Sequence, residues 1–118
     1  MAAAVERLKR RPEFLRVAAA DRKSVTPGLI LQVLQRDAAE GGPRVGLTAS
    51  RRVGKAVERN RARRRLRAAV HAVMPLHAEP GHDYVVIARR ATLGRPYAAL
   101  VDDLETALKR LKVWRDNS

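Results

Sequence analysis

Apolar residues recur along the chain with helical and strand periods, and turn signals mark the changes between them. Leu8 to Ala20 predicts a short helix: Phe14, Val17 and Ala18, with Leu15 alongside, share a stripe, and Pro12 stands early, where its missing N–H does no harm. Met1 to Val5 is a small-residue leader, and flexibility is expected over 1–6. Asp21 to Pro27 is rich in turn formers and leaves room for a short strand near 24–26. Leu29 to Gln35 is an almost continuous apolar run, broken by Gln32 and Gln35, and predicts a strand covered on both faces. Gly41-Gly42, within Asp37 to Pro43, predicts a hairpin turn, with Arg44 to Ala49 as the antiparallel partner strand.

Beyond Gly54 the period becomes helical. Ala62, Leu66, Ala69, Val70 and Val73 fall on one face, and Pro75 is expected to stop the helix. His77 to Asp83 reads as a loop turning at Pro80-Gly81, and Tyr84 to Ala88 as a buried β-branched strand. Thr92 to Arg95 turns the chain, and Pro96 opens a last helix. Its core stripe is Tyr97, Leu100, Val101, Leu104, Leu108 and Leu111; Asp102, Asp103, Glu105, Lys109 and Lys112 lie off it. Residues 114–118 form a tail expected to be flexible, with Trp114 either capping the core or loose. These elements describe an α+β fold in the order α-β-β-α-β-α, in one domain over 1–118. At 118 residues the core is modest, and with four aromatic residues it must be built from Leu, Val and Ala.

Charge changes the picture more than size does. The formal charge is +13, and Arg51 to Arg67 carries nine Lys/Arg against one acid, Glu58. Guanidinium groups this dense repel one another, so a merely solvated face is a poor reason for them. Their planar, permanently charged forks match phosphate oxygens, which predicts a phosphate-binding helix and a polyanionic partner. Asn60, Arg61, Arg64 and Arg67 project away from the apolar face, and Asn60 suits a base edge or a 2′-hydroxyl. No apolar run approaches the ~20 residues that span a bilayer, and no secretory cleavage pattern opens the chain. The absence of Cys excludes disulfides, thiolate metal sites and cysteine nucleophiles, and suits the cytoplasm.

The run RVGLTASRRVGKAVERNRARRRLR, Arg44 to Arg67, resembles the signature of the bacterial ribonuclease P protein subunit. Arg59-Asn60-Arg61 matches the family's Arg-Asn-Arg element at the start of a long helix, and Ser50-Arg51-Arg52 closes the preceding strand. The resemblance covers nearly the whole chain. It implies a mixed central sheet with a left-handed βαβ crossover, like the second domain of a small-subunit ribosomal protein, although such crossovers are in general right-handed. It implies a partner RNA that performs Mg²⁺-dependent hydrolysis and removes the 5′ leader of precursor tRNA, with no cofactor held by the protein alone. The catalytic RNA would be bound by Arg51, Arg52, Lys55, Arg59, Asn60, Arg61, Arg64 and Arg67; Arg63 and Arg65 flank that face. The leader groove would hold Phe14, Ala18 and Gln32, with Val17 inward and Arg10, Arg11 and Arg16 at the rim. For Phe14 a core position, and for Gln32 a plain polar edge, remain open alternatives. Ala18 stands where relatives often carry a second Phe, so stacking is not supplied there.

The polypeptide's own chemistry reads as binding. His71, His77 and His82 converge on no nucleophile or oxyanion donor and read as exposed histidines. Asp102 and Asp103 are adjacent on a helix, diverge by roughly 100°, and make a poor metal clamp. There is no Walker loop, dinucleotide fingerprint or zinc spacing. The expectation is therefore no catalytic residue, no metal ligand, no membrane and no small-molecule substrate. Two competing classes remain: a general or ribosomal RNA-binding protein, and a self-sufficient nuclease.

Overall fold

The structure, a computed structural model, describes residues 5–37 and 41–116. Most of the expected leader, residues 38–40 of the expected turn, and 117–118 of the tail lie outside the described residues. Five strands form one mixed sheet: β1 (Glu6–Arg7), β2 (Lys23–Val25), β3 (Leu29–Gln35), β4 (Arg44–Thr48) and β5 (His82–Ala88), in the order β1-β4-β5-β3-β2. Three helices, α1 (Arg11–Ala19), α2 (Ala56–His77) and α3 (Tyr97–Arg110), complete it, with a 3-10 turn at Arg90–Leu93. No helix among the described residues is long and apolar enough to cross a membrane.

The most deeply buried strand takes the centre. β5 runs parallel to β4 from Asp83 to Ile87 and antiparallel to β3 from His82 to Ala88. This corrects the expected hairpin: β3 and β4 are not partners, because β5 lies between them. A strand buried on both faces needs hydrogen-bonding neighbours on both edges, and local turn chemistry does not see that demand. The tight antiparallel pair is instead β2 with β3, closed by Thr26 N–H donating to the Leu29 carbonyl at 2.9 Å. The short strand expected near 24–26 is therefore present. Helix α2 supplies the crossover between the parallel neighbours β4 and β5.

Side-chain alternation divides the sheet into two unlike faces. Leu29, Leu31 and Val33 meet Tyr84, Val86 and Ala88 beneath α2 and α3, and this is the core. On the other face Ile30, Gln32 and Leu34 are only half-buried, so the expected double coverage of β3 is incomplete. Helix α1 covers part of that face with buried Val17 and half-buried Phe14. Gly46 of β4 makes this possible: a Cβ there would lie 2.3 Å from the Phe14 ring, so the ring occupies the space a side chain would fill.

Other differences have local causes. Leu8 N–H donates to the Val45 carbonyl at 3.0 Å, so the segment before α1 extends the sheet edge, and α1 starts at Arg11. Glu13 holds that start by accepting from the Lys9 and Arg10 N–H groups at 3.1 and 2.9 Å. Pro75 does not end α2, which runs to His77. The last turn is held from outside: the His77 ring stacks on Trp114 at 3.9 Å, and Arg115 N–H donates to the His77 carbonyl at 2.7 Å. Thus Trp114 is fixed, and His77 and the buried His82 are not the exposed histidines expected; His71 is exposed. Asp103, expected on a solvated face, is 6% exposed and receives Arg95 Nε at 2.6 Å and Gly28 N–H at 3.0 Å.

The expected 77–83 loop ends early, because His82 and Asp83 belong to β5. Asp83, 2% exposed, accepts Arg44 Nη2 at 2.6 Å and Arg36 Nη1 at 2.9 Å, and Arg44 also reaches Glu13 at 3.1 Å. One carboxylate thus joins β5, β4 and the end of β3, with α1 tied on through Arg44. Burial pushes the Asp83 carboxyl up, but the hydrogen bonds of Arg44 and Arg36 outweigh it and hold it below the ordinary value. With the folded value below the unfolded one, near about 3.9, this stabilisation is full above about pH 4 and fades as pH falls through the folded value.

Two predictions follow from this packing. Asp83→Asn lowers stability by about 2–3 kcal/mol at neutral pH in urea unfolding, and loses less than the parent as pH falls below about 4; identical pH profiles would refute the hub. Gly46→Ala destabilises by about 1–3 kcal/mol through overpacking, and adding Phe14→Ala recovers part of that loss; strictly additive effects in the double-mutant cycle would show the ring is not seated there.

Candidate nucleic-acid interface

The candidate surface begins at the turn between β4 and α2. Val53 is buried, and Val53 N–H donates to the Ser50 carbonyl at 3.0 Å, which pins the turn to the core. Ser50 Oγ accepts from Arg52 N–H at 3.3 Å. The pinned turn leaves Arg51, Arg52 and Lys55 exposed. Gly54 has φ +150°, and a Cβ there would stand 2.5 Å from Glu58 Oε1. That carboxylate accepts from Lys55 N–H at 2.9 Å, so the one acid of the basic run closes the helix start. Glu58 thus serves the backbone, and it leaves the arginines unneutralised.

Helix α2 then separates anchor from charge. Ala62, Leu66, Ala69, Val70, Val73 and Met74 are buried against the sheet. Asn60, Arg61, Arg64 and Arg67 are exposed on the outer side, as their spacing predicts. Among the described residues the ion pairs belong to Arg36, Arg44 and Arg95, and none involves the α2 arginines. Asn60 Oδ1 accepts from Arg63 Nη1 at 3.0 Å. Arg59 is half-buried, and its Nε is shielded with no hydrogen-bond partner among the described residues. Arg65 is structural: its Nε donates to the Thr92 carbonyl at 3.0 Å and its Nη2 to the Arg95 carbonyl, fastening the segment before α3 to α2.

The groove candidates divide. Phe14 is half-buried and lines a cavity of about 530 Å³ whose walls also include Leu8, Gly46, Leu47, Arg63 and Arg67. A neighbouring cleft of about 420 Å³ joins Phe14 to Arg11, Ser50 and Arg63. Gln32, half-buried on β3 opposite Lys23 and Val85, shares the α1-bearing sheet face, and Ala18 is exposed on α1. Neither Ala18 nor Gln32 lines those two spaces. So the fold connects Phe14 with the flank of the basic helix, while Ala18 and Gln32 lie elsewhere on the α1 side.

Sequence reasoning set Arg63 aside as a flanking residue, yet it lines both spaces beside Phe14. Its position 100° from Ala62 on the helix was the available signal. Among the described residues no three His, Asp or Glu side chains gather where they could hold a metal ion. The arrangement offers exposed cations, one half-buried ring and neutral amide groups, which is chemistry for holding a polyanion with some unstacked bases.

The family model described as Ribonuclease P matches residues 3–112. The ribonuclease P protein component of Paramagnetospirillum magneticum is 56% identical over 114 residues, covering 94% of this chain and 86% of that one. That of Gluconacetobacter diazotrophicus is 49% identical, covering 96% and 97%. Among solved structures, the Staphylococcus aureus RNase P protein aligns with a TM-score of 0.76 at 24% identity, covering 92% of this chain and 97% of that one. The Thermotoga maritima RNase P protein aligns at 0.71 and 23%, covering 91% and 96%. These last two establish the likeness of fold, and the family match together with the identity to the curated relatives places this chain in the ribonuclease P protein family.

Proposed function

We propose that this chain is the protein subunit of a ribonuclease P ribonucleoprotein and acts in tRNA processing by binding RNA. The carrying observation is the unneutralised arginine face of α2, on a chain that belongs to the ribonuclease P protein family. Arg51, Arg52, Lys55, Arg59, Asn60, Arg61, Arg64 and Arg67 contact the catalytic RNA, where guanidinium forks lower the repulsion between crowded phosphates. Catalysis belongs to that RNA. The Mg²⁺ it uses is the RNA's own; this chain's described residues assemble no metal site, and we assign them no step through one. Phe14, Ala18 and Gln32 border the path of the 5′ leader, a reading supported by their common place on the α1 side of the sheet. The cysteine-free composition supports a cytoplasmic site of action.

Reconstitution tests the reading. Purified protein, a bacterial ribonuclease P RNA, and both together are incubated with a 5′-extended precursor tRNA at low Mg²⁺. Cleavage at the mature 5′ end is expected to need the RNA and to be stimulated by the protein. Cleavage by protein alone would overturn the division of labour, and tight RNA binding without stimulation would favour a general RNA-binding protein. With about six to eight phosphates contacted, the log–log salt slope of RNA binding is roughly −5 to −7, and Arg59→Ala or Arg61→Ala each brings it about one unit nearer zero. Ala18→Phe tightens a precursor with a long leader several-fold by adding a stacking ring and leaves leaderless tRNA unchanged; equal effects on both would remove Ala18 from the groove.

A further inference from the structure

Three of the four aromatic side chains are enclosed by their neighbours. Tyr84 is fully buried, Phe14 lies over Gly46, and Trp114 is stacked under His77 with Lys109 Nζ 4.6 Å from its ring centre. Tyr97 is the exception. The helical stripe of α3 assigns it to the core, yet it is 45% exposed, one turn before the buried series Leu100, Leu104 and Leu108. Its hydroxyl donates to the Ala68 carbonyl of α2 at 3.2 Å, which holds the side chain against the flank of the basic helix. There it lines a shallow cleft of about 290 Å³ with Arg61, Arg64, Arg65 and Ala68.

Each neighbour has a definable part. Arg65 is engaged with the carbonyls of Thr92 and Arg95, so it sets where α3 begins and hence where Tyr97 stands. Arg61 and Arg64 are exposed and have no carboxylate partner among the described residues. Ala68 carries only a methyl group, which keeps the floor of the cleft low. An exposed ring whose hydroxyl is anchored has lost freedom before any ligand arrives, so less entropy is lost on stacking. Guanidinium groups to one side supply what a phosphate next to a stacked base requires.

We propose that Tyr97, with Arg61 and Arg64, forms a subsite for an unpaired nucleobase and its adjacent phosphate. The subsite rests on the reading of this chain as a ribonuclease P subunit. It extends the RNA surface across the α3 flank of α2, whereas Phe14 lies on the flank formed by Arg63 and Arg67. The stacked base can come from the catalytic RNA or from the precursor's leader.

The test uses the full chain with ribonuclease P RNA, with and without a leader-bearing precursor. Parent, Tyr97→Phe, Tyr97→Leu and Arg64→Gln are compared by RNA binding across a salt series, by chemical probing of base reactivity, and by thermal unfolding to confirm the fold. Tyr97→Phe is expected to bind within about twofold of the parent. Tyr97→Leu is expected to weaken binding by about five- to a hundredfold with an unchanged salt slope, because a stacking surface and no charge is lost. Arg64→Gln is expected to bring the slope about one unit nearer zero. One base should be protected by the parent and Tyr97→Phe but reactive with Tyr97→Leu. Protection in the ribonuclease P RNA assigns the base to that RNA, and protection only in the leader assigns it to the substrate.

Parent-like binding and protection by a folded Tyr97→Leu would overturn the subsite while leaving the subunit reading intact. A Tyr97→Phe as weak as Tyr97→Leu would show that the Ala68 anchor, and not stacking, carries the effect, and would also overturn it. Failure of the parent itself to bind ribonuclease P RNA would remove the subunit reading and the subsite together.

Discussion

Helix α2 must be stable while carrying charges that repel one another, and the rest of the structure answers that constraint. Arginines three and four residues apart on one helix disfavour it by a few tenths of a kcal/mol per pair. Among the described residues no carboxylate pairs with them, so the opposing stabilisation comes from the other side of the helix. Ala62, Leu66, Ala69, Val70, Val73 and Met74 are buried against the sheet and α3. Burial of this kind is worth about 25 cal/mol per Å² of apolar surface, enough to outweigh pairwise repulsion softened by water and salt. Glu58, which could have neutralised a neighbour, instead closes the helix start against Lys55 N–H. The charge is thus left available outward, and a polyanion arriving there meets a preformed surface.

The acids elsewhere act as fasteners between elements. Asp83 gathers Arg44 and Arg36 at one end of the sheet, and Asp103 holds Arg95 and the Gly28 N–H at the other side of the molecule. Both are among the most buried charged groups described, and each has its oxygens occupied by guanidinium donors. A protein of net charge +13 therefore separates its cations into two populations. Arg36, Arg44, Arg65 and Arg95 are used inside the fold, and Arg51, Arg52, Arg61, Arg64 and Arg67 are left on the surface. Composition alone cannot make that separation.

The position of Phe14 shows how the sheet relates the α1 side to the basic helix. Gly46 admits the ring from the α1 side, and the cavity beside it opens onto Arg63 and Arg67 of α2. Helix α1 and helix α2 belong to opposite sides of the sheet, and Phe14 of one and Arg63 and Arg67 of the other line one cavity at its β4 edge. That edge is paired by β1 only as far as Val45, so the strand beyond is not covered by a neighbouring strand.

Much of this was legible in the chain. The α2 anchors and the outward arginines follow from 3.6-residue periodicity, because a long helix obeys a local rule wherever it packs. The β5 strand and the last helix followed from β-branched content and from a leucine stripe, and the Arg-Asn-Arg element carried the family resemblance. What failed depended on partners distant in sequence. Gly41-Gly42 suggested a hairpin, but β5, some forty residues on, took the position between β3 and β4. Pro75 suggested a stop, but Trp114 holds the turn that contains it. Asp103 and Tyr97 exchanged their expected places: Arg95 and Gly28 draw the acid inward, while the ring starts its helix beyond the core. The sequence by itself determined which segments are helices and strands and where positive charge concentrates, since both are sums over near neighbours. Only the tertiary structure decided which strand is central, which arginines are spent on carboxylates and carbonyls, and which aromatic faces solvent, since each depends on groups that meet only when the chain is folded.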